Sequence, residues 1–190
     1  MDAFLLSFGV IFLAELGDKS QLMALAFATR FPAIPVLIAI SIATLIVHLG
    51  SVALGATVAI ALPTNVIAIV AGVAFLVFAA WTLRGDELGD DDRAKASRET
   101  TGSVIVTVGT AFFLAELGDK TMLATVTLAT NHAALGTWIG STAGMVAADA
   151  IAIGVGRMLG TRLPDRAIRI GAAVAFVVFG LILIWQGLRG

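Results

Sequence analysis

The chain has 190 residues, 59% hydrophobic and 13% charged, with a formal net charge of −1 and a mean hydropathy of +1.01. That is too apolar for an ordinary soluble domain and marks a membrane protein, and the lack of any basic excess leaves no footprint for nucleic acid. There is no cysteine, which excludes disulfides, thiolate metal sites and cysteine nucleophiles.

A helix needs about 20 mostly apolar residues to cross a bilayer, and six segments supply them, at 3–29, 34–61, 65–84, 103–130, 133–160 and 167–187. The expected fold class is therefore an all-α membrane protein with six transmembrane helices. The first segment lacks the positive start and small-residue cleavage site of a signal peptide and is read as a mature helix. Pro32, Pro35, Pro63 and Pro164 fall at or near span boundaries, where a missing backbone donor does least harm. Trp81, Trp138 and Trp185 lie near span ends, as interfacial anchors do. The second span carries His48 and the fifth carries Asp149, both read as a proton relay or gate. Gly136, Gly140 and Gly144 in the fifth have the small-xxx-small spacing that lets helices approach closely.

Residues 85–102 form a charged linker, with Asp86, Glu87, Asp90, Asp91 and Asp92 read as a solvated cluster. It separates two copies of one unit, 1–84 and 103–190. An offset of 101 residues places Phe12–Thr29 on Phe113–Thr130 with 11 identities in 18 positions, Pro63 on Pro164, and Asp149 on His48. Three spans per unit is an odd number, so the second copy must enter the membrane from the opposite side. This is an inverted-topology repeat, common in secondary transporters, whose site lies near the midplane between the halves. Nine of the Lys and Arg residues outside the spans collect on the linker's side and only Arg189 on the other, so the linker is expected to be cytoplasmic and both termini outside.

The charges inside the spans need an explanation. "FLAELGDKS" at 12–20 holds Glu15, Asp18 and Lys19; "FLAELGDKT" at 113–121 holds Glu116, Asp119 and Lys120. Glu15 lies about 12 residues into its helix, roughly 18 Å deep and near the middle of a ~30 Å core. Each such charge costs at least about 2.5 to 3.5 kcal/mol, so these side chains should avoid lipid. On a continuous helix, Asp18 and Lys19 are the i+3 and i+4 neighbours of Glu15, and Asp119 and Lys120 stand in the same relation to Glu116. The i,i+4 pairs could simply neutralise one another. Yet four carboxylates against two ammonium groups leave two negative charges, which a divalent cation would balance. The carboxylates, the backbone around Gly17 and Gly118, and Ser20, Gln21, Thr121 and Thr125 all offer oxygen, which suits Mn²⁺, Ca²⁺ or Mg²⁺. Mg²⁺ sheds its water reluctantly, which favours the other two. Lys19 and Lys120, while protonated, can hold carboxylates in place or substitute for the cation.

Two copies of Glu-x-Gly-Asp-Lys-(Ser/Thr), one per three-helix half, resemble the membrane family that includes bacterial MneA-type manganese exporters and Golgi manganese/calcium transporters. The resemblance covers almost the whole chain. It implies a transporter rather than an enzyme, with no resident cofactor, that exports Mn²⁺ or Ca²⁺ in exchange for protons. The motif positions are Glu15, Gly17, Asp18, Lys19 and Ser20, and Glu116, Gly118, Asp119, Lys120 and Thr121. Without the extra N-terminal segment of the eukaryotic members, a bacterial inner-membrane location is expected. Three alternatives remain open from the residues: Na⁺ coupling, a channel, and an intramembrane aspartyl protease built on Asp18 and Asp119. The added Glu and Lys charges would disturb the shared proton of a protease dyad. No oligomeric state is legible.

Overall fold

The computed structural model describes residues 2–84, 103–159 and 165–189. The charged linker and Pro164 lie outside the described residues. All regular structure among the described residues is helical: α1 (Asp2–Glu15), α2 (Lys19–Arg30), α3 (Ala33–Ala61), α4 (Thr64–Arg84), α5 (Val104–Glu116), α6 (Lys120–Asn131), α7 (Ala134–Leu159) and α8 (Asp165–Arg189).

Four expected spans appear as single helices, and two do not. The segments at 3–29 and 103–130 were expected to be continuous; each is broken in the middle of the motif. Gly17 and Gly118 adopt φ of +74° and +80°, a left-handed conformation that a helix cannot contain and that glycine enters without steric cost. The chain turns there, Asp18 N–H donating to Glu15 O at 3.0 Å and Asp119 N–H to Glu116 O at 3.2 Å, and a new helix starts one residue on. The i+3 and i+4 relations expected within each motif therefore do not form. Elsewhere the prolines act as foreseen: Pro32 sits just before α3, and Pro63 just before α4.

The packing exchanges the two halves. α1 and α2 lie on α7, while their counterparts α5 and α6 lie on α3, so each half's broken pair rests on the other half's long helix. α3 also packs on α7, and α4 on α8. α4 and α8 run antiparallel: Asn65 and Ile69 meet Gly187, Gly72 meets Gly180 and Ile184, and Phe75 packs against Phe176 in a tilted contact with ring centroids 5.7 Å apart. The glycine stripe of α7 lets α1 in, as its spacing suggested. A Cβ on Gly136 would lie 2.9 Å from Ala3 Cβ, one on Gly140 would meet the backbone of Phe4, and one on Gly144 would lie 2.5 Å from Phe8 O. Phe4, Phe8 and Phe12 stack along the same α1.

The distribution of polarity is the reverse of a soluble domain's. Large apolar side chains point outward along α3 (Ile38, Ile42, Ile46, Leu49), α4 (Val66, Val70, Val73, Val77) and α8 (Val174, Val178, Leu181). Glu15, Asp18, His48, Glu116, Asp119, Lys120 and Asp149 are buried. A contiguous apolar exterior on this scale needs an apolar surrounding. Ala33–Ala61 and Asn65–Arg84 are each long and apolar enough to cross a bilayer. Of the tryptophans, Trp138 donates its indole N–H to Leu45 O at 3.0 Å, and Trp185 lies exposed with the Arg189 guanidinium 3.9 Å over its ring.

Candidate cation site

The two helix breaks place the motif side chains. Glu15 and Glu116 are the last residues of α1 and α5; Asp18 and Asp119 stand immediately before α2 and α6, in extended conformation. An aspartate in that position ordinarily turns back to cap its own helix. Neither does so, and both carboxylates are left for other partners.

Those partners come from the opposite half. Lys19 Nζ lies 3.1 Å from Asp119 Oδ1, and Lys120 pairs with Asp18. Where the spacing of four allowed local pairs as the alternative, these pairs run crosswise between the halves, and the break at each glycine removes the helical geometry that brings residues four apart together.

The glutamates are instead held by hydroxyls. Ser20 donates to Glu15 Oε1 and stands 2.9 Å from Asp18 Oδ2; Thr121 donates to Glu116 Oε2 at 2.9 Å. One oxygen of each glutamate, Glu15 Oε2 and Glu116 Oε1, is buried without a hydrogen-bond partner among the described residues, as are both oxygens of Asp149. Glu15, Glu116 and Asp149 are all completely buried. Asp149 is buried one residue after Ala148, whose carbonyl ties the first break to α7. Its repeat counterpart His48 is buried with neither ring nitrogen hydrogen-bonded among the described residues.

The remaining expected donors divide. Gln21 is committed to the scaffold: its Oε1 accepts from Gly17 N–H at 2.9 Å and its Nε2 donates to Ala148 O at 2.9 Å, tying the first break to α7 beside Asp149. Thr125 donates back to Thr121 O at 2.8 Å, the common habit of a mid-helix threonine, and supports its helix. Two residues escaped the sequence reading. Met122 takes Gln21's part in the second half, its Sδ 3.1 Å from Gly118 N. Met145 Sδ accepts from Thr44 Oγ1 at 3.5 Å where α3 crosses α7. The offset of 101 pairs Gln21 with Met122 and Thr44 with Met145 and would have pointed to both. Among the described residues, no three His, Asp or Glu side chains converge on a common point as ligands to a metal would; each motif aspartate is drawn to a lysine instead.

An apolar exterior around buried carboxylates from both halves of a duplicated chain is the make-up of a membrane cation transporter. Comparison with known proteins agrees. The family model described as "Divalent cation/proton antiporter GDT1" matches residues 3–90 and again 104–190, and the chain belongs to that family. It is 35% identical to the "Putative manganese exporter" of Vibrio cholerae, over 95% of this chain and 90% of that one. It is 27% identical to a GDT1-like protein of Synechocystis, over 97% and 98% of the two chains. With the Saccharomyces cerevisiae "Divalent cation/proton antiporter GDT1" it shares 24% identity, over 98% of this chain and 84% of the yeast protein. No solved structure matches.

Proposed function

We propose that the protein exports Mn²⁺, with Ca²⁺ as the second candidate, in exchange for protons, through a midplane site formed by Glu15, Asp18, Glu116 and Asp119 with Asp149 beside them. The observation that carries this reading is the set of buried, unpartnered oxygens on Glu15, Glu116 and Asp149. A buried acceptor without a donor is costly, and a hard divalent cation supplies the charge that several such acceptors lack. The names of the Vibrio and yeast relatives support the choice of ions.

In the proposed arrangement six spans form two inverted repeats, with the linker cytoplasmic and both termini outside; the antiparallel run of α4 and α8 supports it. Exchange follows from linkage: carboxylates must be ionised to bind the cation, so binding releases protons and protonation releases the metal. Rocking of one half against the other would open the fixed site to each side in turn. His48, at Asp149's repeat position, is proposed as a gate or relay. The test is Mn²⁺ flux in proteoliposomes carrying a lumenal pH dye. Coupled, opposing movements of Mn²⁺ and protons, lost in Glu15→Gln and in Glu116→Gln, are expected. Flux indifferent to the proton gradient would remove the exchange, and no flux of either ion would remove the cation reading.

A further inference from the structure

Carboxylates and hydroxyls suffice to bind a divalent cation, so the two lysines of the motif need a separate explanation. Each is the first residue of a helix, Lys19 of α2 and Lys120 of α6. A cation there faces the positive end of the helix dipole, the less favourable end for it. Local helix stability therefore does not account for either lysine. Nor does helix capping account for the aspartates they meet, whose side chains cap nothing. What both lysines do is reach across the junction between the halves, each to the aspartate that precedes the other's helix.

We propose that Lys19 and Lys120 are tethered counter-ions: each holds the opposite half's aspartate while the site lacks its cation, and releases it when the cation binds. The inference rests on the cation site proposed above. Lys19 holds Asp119 through Oδ1, and an ammonium group beside a carboxylate repels a cation approaching its other oxygen, so lysine and metal compete electrostatically for Asp119 and, in the same way, for Asp18. Removing a lysine leaves the cation-free site with an uncompensated buried carboxylate, which is strongly unfavourable. The loaded site suffers less, because the metal offsets two of the four carboxylates and the remaining lysine a third. The lysines thus matter more for the carrier's return without metal than for metal crossing in both directions. The two pairs differ in burial, the Lys19 side chain being 24% exposed and that of Lys120 3%, so Lys19 is the one to probe.

The experiment compares net Mn²⁺ flux with exchange of isotopically labelled Mn²⁺ for unlabelled Mn²⁺ in proteoliposomes of the wild type, Lys19→Met and Lys19→Arg. Net flux in Lys19→Met is expected to fall by about tenfold or more, a barrier change of at least ~1.4 kcal/mol. Its exchange should fall by a clearly smaller factor, and Lys19→Arg should recover net flux. A parallel fall in net flux and exchange, or no change in either, would overturn the counter-ion role and leave the cation site standing. Absence of exchange in the wild type would overturn both. A second measurement needs no variant: amine-reactive labelling of Lys19 in the wild-type protein, read by mass spectrometry, should speed up when Mn²⁺ is added. Labelling insensitive to Mn²⁺ would contradict release of the lysine.

Discussion

Thr44 donates its hydroxyl to the sulfur of Met145 at 3.5 Å, and the two occupy the same position in the two halves of the chain. Phe75 and Phe176 are a second such pair, in contact at 5.7 Å between ring centroids. A residue that touches its own counterpart lies on the line about which the halves exchange. That line runs through the α3/α7 crossing and the α4/α8 seam.

The absence of native cysteine makes the first contact directly testable. In a Thr44→Cys/Met145→Cys variant with a protease site placed in the 85–102 linker, a short bifunctional thiol reagent should hold the two fragments together on a denaturing gel after cleavage. Fragments that separate would contradict the crossing.

Gly118 is required for its backbone conformation and not for space, since a Cβ there would meet nothing within 4 Å. Gly118→Ala should cost about 1 to 2 kcal/mol through the left-handed φ alone, and Gly118→Asn should cost less because asparagine visits that region more readily. Thermal denaturation in detergent, with Mn²⁺ flux in parallel, reads the order. Equal tolerance of Ala and Asn would count against the break.

The hydroxyls rank unequally. Ser20 serves two carboxylates, Thr121 one, and Thr125 a backbone carbonyl. Removing a donor from a buried acceptor costs about 1 to 3 kcal/mol. Ser20→Ala should therefore impair cation affinity most, Thr121→Val less, and Thr125→Val least. Mn²⁺ dependence of flux gives the comparison, and a Thr125→Val variant as impaired as Ser20→Ala would reverse the assignment.

Two glycines of α7 should respond oppositely to alanine. At Gly140 the added Cβ meets the Phe4 backbone, which a rotamer change cannot relieve, so Gly140→Ala should destabilise by about 1 to 3 kcal/mol. At Gly154 there is nothing within 4 Å, and Gly154→Ala should be neutral or stabilise the helix by up to about 1 kcal/mol. Detergent melting curves of the two variants distinguish these outcomes.

Much of this arrangement was legible because a duplication prints itself in sequence. The offset of 101 links the two motifs, and helix bounds at 33–61 and 64–84 follow the apolar runs closely. The break at Gly17 and Gly118 was legible only in part: carbonyls freed around the two glycines were expected, but not a turn that ends one helix and starts another. A lone glycine within an apolar helical pattern is compatible with a continuous helix, and the left-handed turn becomes visible only once the chain is folded. The crosswise ion pairs were hidden for the same reason. Spacing of four offers a local partner for each lysine, and only the bend of the chain withdraws it. Thr125 looked like a donor by residue type, although its bond runs along its own helix. Asp149, ranked below the motif from sequence, is buried beside the other half's break because Gln21 ties α7 there at Ala148.

Because α1 and α2 rest on α7, and α5 and α6 on α3, neither half can cover its own charged break. A progenitor of half this length would have needed a second copy of itself before it could bury those charges, so association would have preceded fusion of the two genes. Once joined, the copies no longer had to be identical. His48 opposite Asp149, Gln21 opposite Met122 and Thr44 opposite Met145 are positions where a homodimer would have been held to one residue and the fused chain uses two.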